Sequence, residues 1–133
     1  MKIEEVETSL PHGFHDAFLQ RVRIDYLKRE AILDFSIWVG DISSKVEELR
    51  EARREGQLRL FGLLLFVIEA PDPTYPYFNS PHLMVNAGPA TDLKVSQRLS
   101  HSIPGEAFVH WFFVNEWNSF IHVAAMEARF EWV

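Results

Sequence analysis

The sequence contains no cysteine, which removes a disulfide framework, a thiolate zinc site and a cysteine nucleophile from consideration. Its six glycines are scattered. None of them builds a phosphate-cradling loop, a dinucleotide-binding pattern or the Gly-x-Ser-x-Gly elbow of serine hydrolases. Positive charge is scarce: 13 Lys and Arg stand against 19 Asp and Glu, a formal net charge of -6. A surface of that sign repels phosphate backbones and anionic lipid, so neither nucleic acid nor membrane is expected as a partner. Long apolar runs are missing too. The most apolar stretch, 58–68, is interrupted by Arg59 and Gly62 and falls far short of the roughly 20 residues of a spanning helix. The acidic start, Met1-Lys2-Ile3-Glu4-Glu5-Val6-Glu7, lacks the apolar segment of an export signal, so a cytoplasmic protein is expected.

What is present suffices for one domain over 1–133. Of the 133 residues, 47% are hydrophobic and 14% aromatic, enough apolar surface to offset the entropy of ordering the chain. Over 18–39 the pattern has a period of two. Phe18, Gln20, Val22, Ile24 and Tyr26 share one parity, with Leu19, Arg21, Arg23, Asp25 and Leu27 on the other. After Lys28-Arg29-Glu30 the apolar set resumes as Ala31, Leu33, Phe35, Ile37 and Val39. This predicts a β-hairpin, although no Asn-Gly or Asp-Gly marks its turn. Residues 45–55 read as the one helix: Ser44 and Glu47 have the spacing of a capping box, and Gly56 stands where a helix would end. Residues 57–69 are apolar on both parities, predicting a strand covered on both faces, within a sheet or at an interface.

Pro71, Pro73, Pro76 and Pro81 then predict a surface loop carrying Tyr75, Tyr77 and Phe78. A short strand is expected over 82–87 and a loop over 91–105. Residues 108–114 and 119–133 predict a long hairpin around Asn115-Glu116-Trp117-Asn118. The resulting fold class is mainly β: an antiparallel β-sandwich or a strongly curled sheet of about six strands, with one short helix. A sheet face left uncovered would be buried by dimerisation.

Two groups of residues could carry metal chemistry. His12, His15 and Asp16 lie within five positions of one another, a spacing that can place imidazoles and a carboxylate around a transition metal. The plainer reading has them bonding locally where the chain enters its first strand. His110 and His122 form the second group. If Asn115-Glu116-Trp117 is the whole turn, Val114 faces Asn118 and His110 faces His122, with Cβ atoms about 5 Å apart. Packing among aromatic neighbours is the plainer reading here as well. Trp117 at the turn, with Tyr75, Tyr77 and Phe78, forms a candidate binding set; the same loop residues could instead fold back as a lid. Asp25, Asp34, Glu69 and Glu131 make no acid/base pair without a strand order. No residue set marks a catalytic centre.

At Phe14-His15-Asp16-Ala17, followed directly by two alternating strands, the chain resembles a group of small bacterial domains in which a His-Asp-Ala or His-Asp-Ser step precedes the first strand. The resemblance extends from the N-terminus to about Gly40. Some of those domains look like immunity proteins of polymorphic toxin systems, which implies a binder that blocks a toxin through its surface; an acidic chain would suit a basic toxin. The first expectation is therefore a non-catalytic protein-binding domain with no cofactor. The alternatives are a metal- or small-ligand-binding domain built on the His/Asp residues, and a self-associating structural protein such as a homodimer.

Overall fold

Alternating hydrophobicity is satisfied in this protein by a sheet that bends round on itself. The computed structural model describes residues 1–90 and 103–133; of the loop expected over 91–105, residues 91–102 lie outside the described residues. Strands β1 (Ala17–Asp25) and β2 (Glu30–Trp38) form the expected hairpin. Its turn uses Asp25 in place of an Asn-Gly pair: the carboxylate accepts the Lys28 N–H at 3.0 Å, and Arg29 takes the left-handed conformation at φ 54°. Ala31, Leu33, Phe35 and Ile37 of β2 are all fully buried.

In β1 the parity read from the sequence holds only in part. A bulge between Leu19 and Arg21 puts Ala17 and Leu19 in the core and then hands the inward positions to Val22 and Ile24. A bulge adds one residue to one strand and so switches the face of everything beyond it.

Strand β3 (Arg53–Ile68) is the longest. It starts within the segment expected to be helical, because Arg53 to Gly56 continue the ladder against Trp38 to Phe35. The helix shrinks to one turn, α2 (Glu47–Arg50). Its apolar stripe was too thin to dock: Val46 and Leu49 are 50% and 59% exposed. The capping box does not form there, since Ser44 Oγ accepts the Val46 N–H instead. Gly56 ends no helix; it sits in β3 beneath the Phe130 ring. A helix the sequence pattern did not announce, α1 (Ile3–Ser9), opens the chain. Its Ile3 and Val6 are fully buried in the core, and the Met1 carbonyl accepts the Ala128 N–H at 2.7 Å.

Strand β4 (Met84–Pro89) and the hairpin of β5 (Phe108–Val114) and β6 (Ser119–Trp132) complete one antiparallel sheet in the order β1-β2-β3-β6-β5-β4. Of the two architectures the sequence allows, this is the single curled sheet. Its ends meet where β1 pairs with β4 through Ala17–Val85 and Phe18–Met84, which makes a barrel with a short seam. Beyond those pairs, residues 20–25 of β1 have no strand on that side among the described residues. The interior centres on Phe14, Phe35 and Phe112, whose ring centroids lie 5.1 to 5.7 Å apart. No helix among the described residues is long and apolar enough to cross a membrane.

The turn between β5 and β6 holds four residues: a 3-10 turn over Asn115–Trp117, then Asn118 in the left-handed region at φ 48°. Val114 therefore faces Ser119, and His110 faces Val123, whereas His122 faces Trp111. The expected His110–His122 pair is corrected by this single extra turn residue, which puts the two imidazoles on opposite faces of the sheet.

The contact of Gly56 with Phe130 gives a test of the packing. A Cβ at position 56 would stand 2.2 Å from the Phe130 ring, whereas one at Gly105 meets nothing within 4 Å. In urea denaturation, Gly56→Ala should lose about 1–3 kcal/mol through overpacking, and Gly105→Ala should stay within about 0.5 kcal/mol of wild type.

Candidate functional site

The turns that precede β1 commit both of their histidines to holding the fold. His12 Nε2 donates to the Gly40 carbonyl at 2.7 Å, and its ring stacks on Trp38 with centroids 3.9 Å apart. His15 Nδ1 donates to Asn86 Oδ1 of β4 at 2.6 Å, and its Nε2 lies 3.4 Å from Asp16 Oδ2. Asp16 adopts φ 55°, a left-handed conformation that a short polar side chain tolerates. Its carbonyl accepts the Arg53 guanidinium at 2.8 Å. Among the described residues, no three His, Asp or Glu come together in a group that could hold a metal ion.

His110 is fully buried inside the barrel. Its Nε2 bonds the Glu7 carboxylate of α1, and its Nδ1 has no partner among the described residues. This pair ties the N-terminal helix to β5. No motif pointed to it, because Glu7 belongs to a helix the hydrophobic pattern did not announce. His122 lies on the opposite face, stacked on Phe120 at 5.7 Å and 3.8 Å from Glu69 Oε1.

That outer face carries the most distinctive surface chemistry. Alternation in β5 sends His110 and Phe112 inward, so Trp111 and Phe113 face out. Phe120 of β6 lies beside both, with centroids 5.7 Å from Trp111 and 4.9 Å from Phe113. Val67 extends the face from β3, opposite His122. Phe120 is 37% exposed, and Val67 is half-buried. The outward residues of β3 at this end, Leu65 and Val67, are half-buried, so the strand expected to be covered on both faces is covered there only in part. The indole of Trp111 lies flat over Gly88, where a Cβ would come within 2.5 Å of it, and donates to the Pro89 carbonyl at 3.1 Å.

The proline loop borders this face. Its Asp72 N–H donates to the Trp117 carbonyl at 2.9 Å, and the Asp72 carboxylate accepts both the Thr74 hydroxyl and the Thr74 N–H. Those bonds, the hydroxyl one first, hold the Asp72 carboxyl below the usual carboxylate range. Three successive turns follow: Tyr75 N–H to Asp72, Phe78 N–H to Tyr75 and Ser80 N–H to Tyr77. Tyr75 and Tyr77 meet edge to face at 5.7 Å. With Ser80, Phe113, Asn115 and Glu116 they line an open depression of about 360 Å³. Tyr77 is 64% exposed. Phe78 is half-buried and is not among the lining residues. Trp117 is half-buried against the core, so it anchors the turn from within. Phe113, Phe120, Trp111 and Glu116 were not singled out by the sequence reading. For Trp111 and Phe113 the nearly unbroken apolar run of 108–114 was the signal, since one parity of any strand in a curled sheet must face outward.

Comparison with family models and with curated proteins finds no match. Among solved structures the chain is similar to the crystal structure of an uncharacterized protein from Neisseria gonorrhoeae. The two share 12% identity with a TM-score of 0.45, over 88% of this chain and 91% of that one.

The Glu7–His110 pair is open to a double-mutant test. Glu7→Ala leaves a buried imidazole without its partner and should cost about 1–3 kcal/mol in chemical denaturation. Adding His110→Phe should recover much of that loss, because an apolar ring needs no partner.

Proposed function

We propose that this protein is a non-catalytic binding domain that engages a protein partner rich in basic side chains. The contact surface is the outer face of β5, β6 and the end of β3, together with the proline loop. The observation that carries this reading is the cluster of Trp111, Phe113 and Phe120 on the outside of the barrel. Large aromatic side chains are costly to leave in water, and they supply the anchors of protein interfaces.

The sign of the partner follows from the charge pattern. No Lys or Arg stands between Arg59 and Lys94, or between Arg98 and Arg129; Lys94 and Arg98 themselves lie outside the described residues. The same stretches supply Glu69, Asp72 and Glu116 around the aromatic rings. An acidic rim around an apolar centre accelerates encounter with a basic surface and disfavours an acidic one. An immunity-type role, masking a basic partner in the cytoplasm, is the functional class this surface suits.

A photo-crosslinker tests the assignment. Benzoylphenylalanine at position 120, expressed in the organism of origin, should give one discrete adduct with a different protein. The same group at position 21, on the outer side of β1, should give none. Equal products from the two positions, or no adduct at 120, would refute the binding face. An adduct of two copies of this chain would replace the proposed partner with self-association.

A further inference from the structure

The geometry points to a specific receptor within that face: the depression between the proline loop and the β5–β6 turn accepts one cationic side chain, a lysine ammonium or an arginine guanidinium, from the partner. This inference rests on the protein-binding reading and names the chemistry the partner must present. Three of the six lining residues are aromatic, Tyr75, Tyr77 and Phe113, and one is a carboxylate, Glu116. A cation is drawn to the negative face of an aromatic ring, and a nearby carboxylate adds a direct Coulombic attraction. The hydroxyl of Ser80 and the amide of Asn115 offer oxygen acceptors for the N–H groups of such a ligand.

The receptor is built before any ligand arrives. Both oxygens of Glu116 accept the Met84 N–H, at 3.0 and 2.9 Å, which fixes the carboxylate at the rim. The Asp72–Trp117 bond and the three turns from Asp72 to Ser80 hold the two tyrosines. A site organised in this way loses little freedom on binding. Asp72, next to the loop's tyrosines and held below the usual carboxylate range by Thr74, keeps a second negative charge nearby. Among the described residues, none that lines the depression is basic.

The test is a nuclear magnetic resonance titration of the full chain with N-acetyl-lysine methylamide, beside its uncharged analogue N-acetyl-norleucine methylamide. The lysine compound should give saturable shifts in the ring signals of Tyr75, Tyr77 and Phe113, with millimolar affinity, and the norleucine compound should bind markedly more weakly. Tyr77→Ala should weaken lysine binding by about two- to fivefold, the worth of one exposed cation–ring contact. Tyr77→Phe should retain it, because the ring and not the hydroxyl does the binding. Glu116→Gln, which keeps an oxygen for Met84, should weaken it also. Equal response to both compounds, or affinity unchanged in Tyr77→Ala, would overturn the assignment. An adduct at position 120 with no lysine response here overturns this inference alone. A lysine response with no adduct overturns the protein-binding reading alone.

Discussion

Two residue pairs, Ala17 with Val85 and Phe18 with Met84, join the ends of the sheet, and the shape of everything else depends on that short seam. So few ladder bonds are a weak closure on their own, and side chains reinforce it. The Phe18 ring is sandwiched between the Arg53 guanidinium, 3.5 Å from its centroid, and the His82 ring, stacked at 4.7 Å. Arg53 also donates to the Ser36 and Asp16 carbonyls, so one side chain links β3, β2 and the entry to β1. His15 adds a bond across the seam to Asn86. The His-Asp segment thus has a structural task that accounts for its residue types: an imidazole to span to β4, and a short carboxylate tolerant of a left-handed backbone.

The elements legible in the sequence were those whose burial is one-sided and uninterrupted. β2 kept its parity from Ala31 to Ile37, and β5 matched its apolar run from Phe108 to Val114. What eluded a period-based reading were departures of a single residue. The bulge after Leu19 exchanged the faces of β1, and the fourth turn residue, Asn118, exchanged the faces of His110 and His122. Neither carries a local signal strong enough to outweigh the alternation around it, because both are set by pairing with strands distant in sequence. The segment 45–55 failed in another way. It has helical propensity, but propensity without a buried stripe does not hold a helix, and the ladder with β2 claimed its end. Conversely, α1 is only seven residues long, and it is held by the burial of Ile3 and Val6 more than by its own preferences.

The candidate surface was legible only in fragments. Tyr75 and Tyr77 stand out in any reading of the proline loop, but their companions Phe113 and Glu116 come from the β5–β6 hairpin, and only the fold brings them together. Trp117, the residue of that turn most suggestive of a contact, is half-buried against the core. The outer rings Trp111, Phe113 and Phe120 also lie in the stretch between Arg98 and Arg129, which has no Lys or Arg. Hydrophobic and electrostatic features therefore coincide on one side of the barrel, although a net charge of -6 reveals nothing about where the charges lie.

The seam closes only one end of β1, and over residues 20–25 the strand leaves backbone donors and acceptors unclaimed by a neighbour among the described residues. Such an edge is a template on which further strands, including those of other molecules, can add. Here Gln20, Arg21, Arg23 and Asp25 are all exposed, and the bulge at its start disrupts the regular spacing an incoming strand would need. The consequence is an open edge on β1 that discourages strand addition by another molecule.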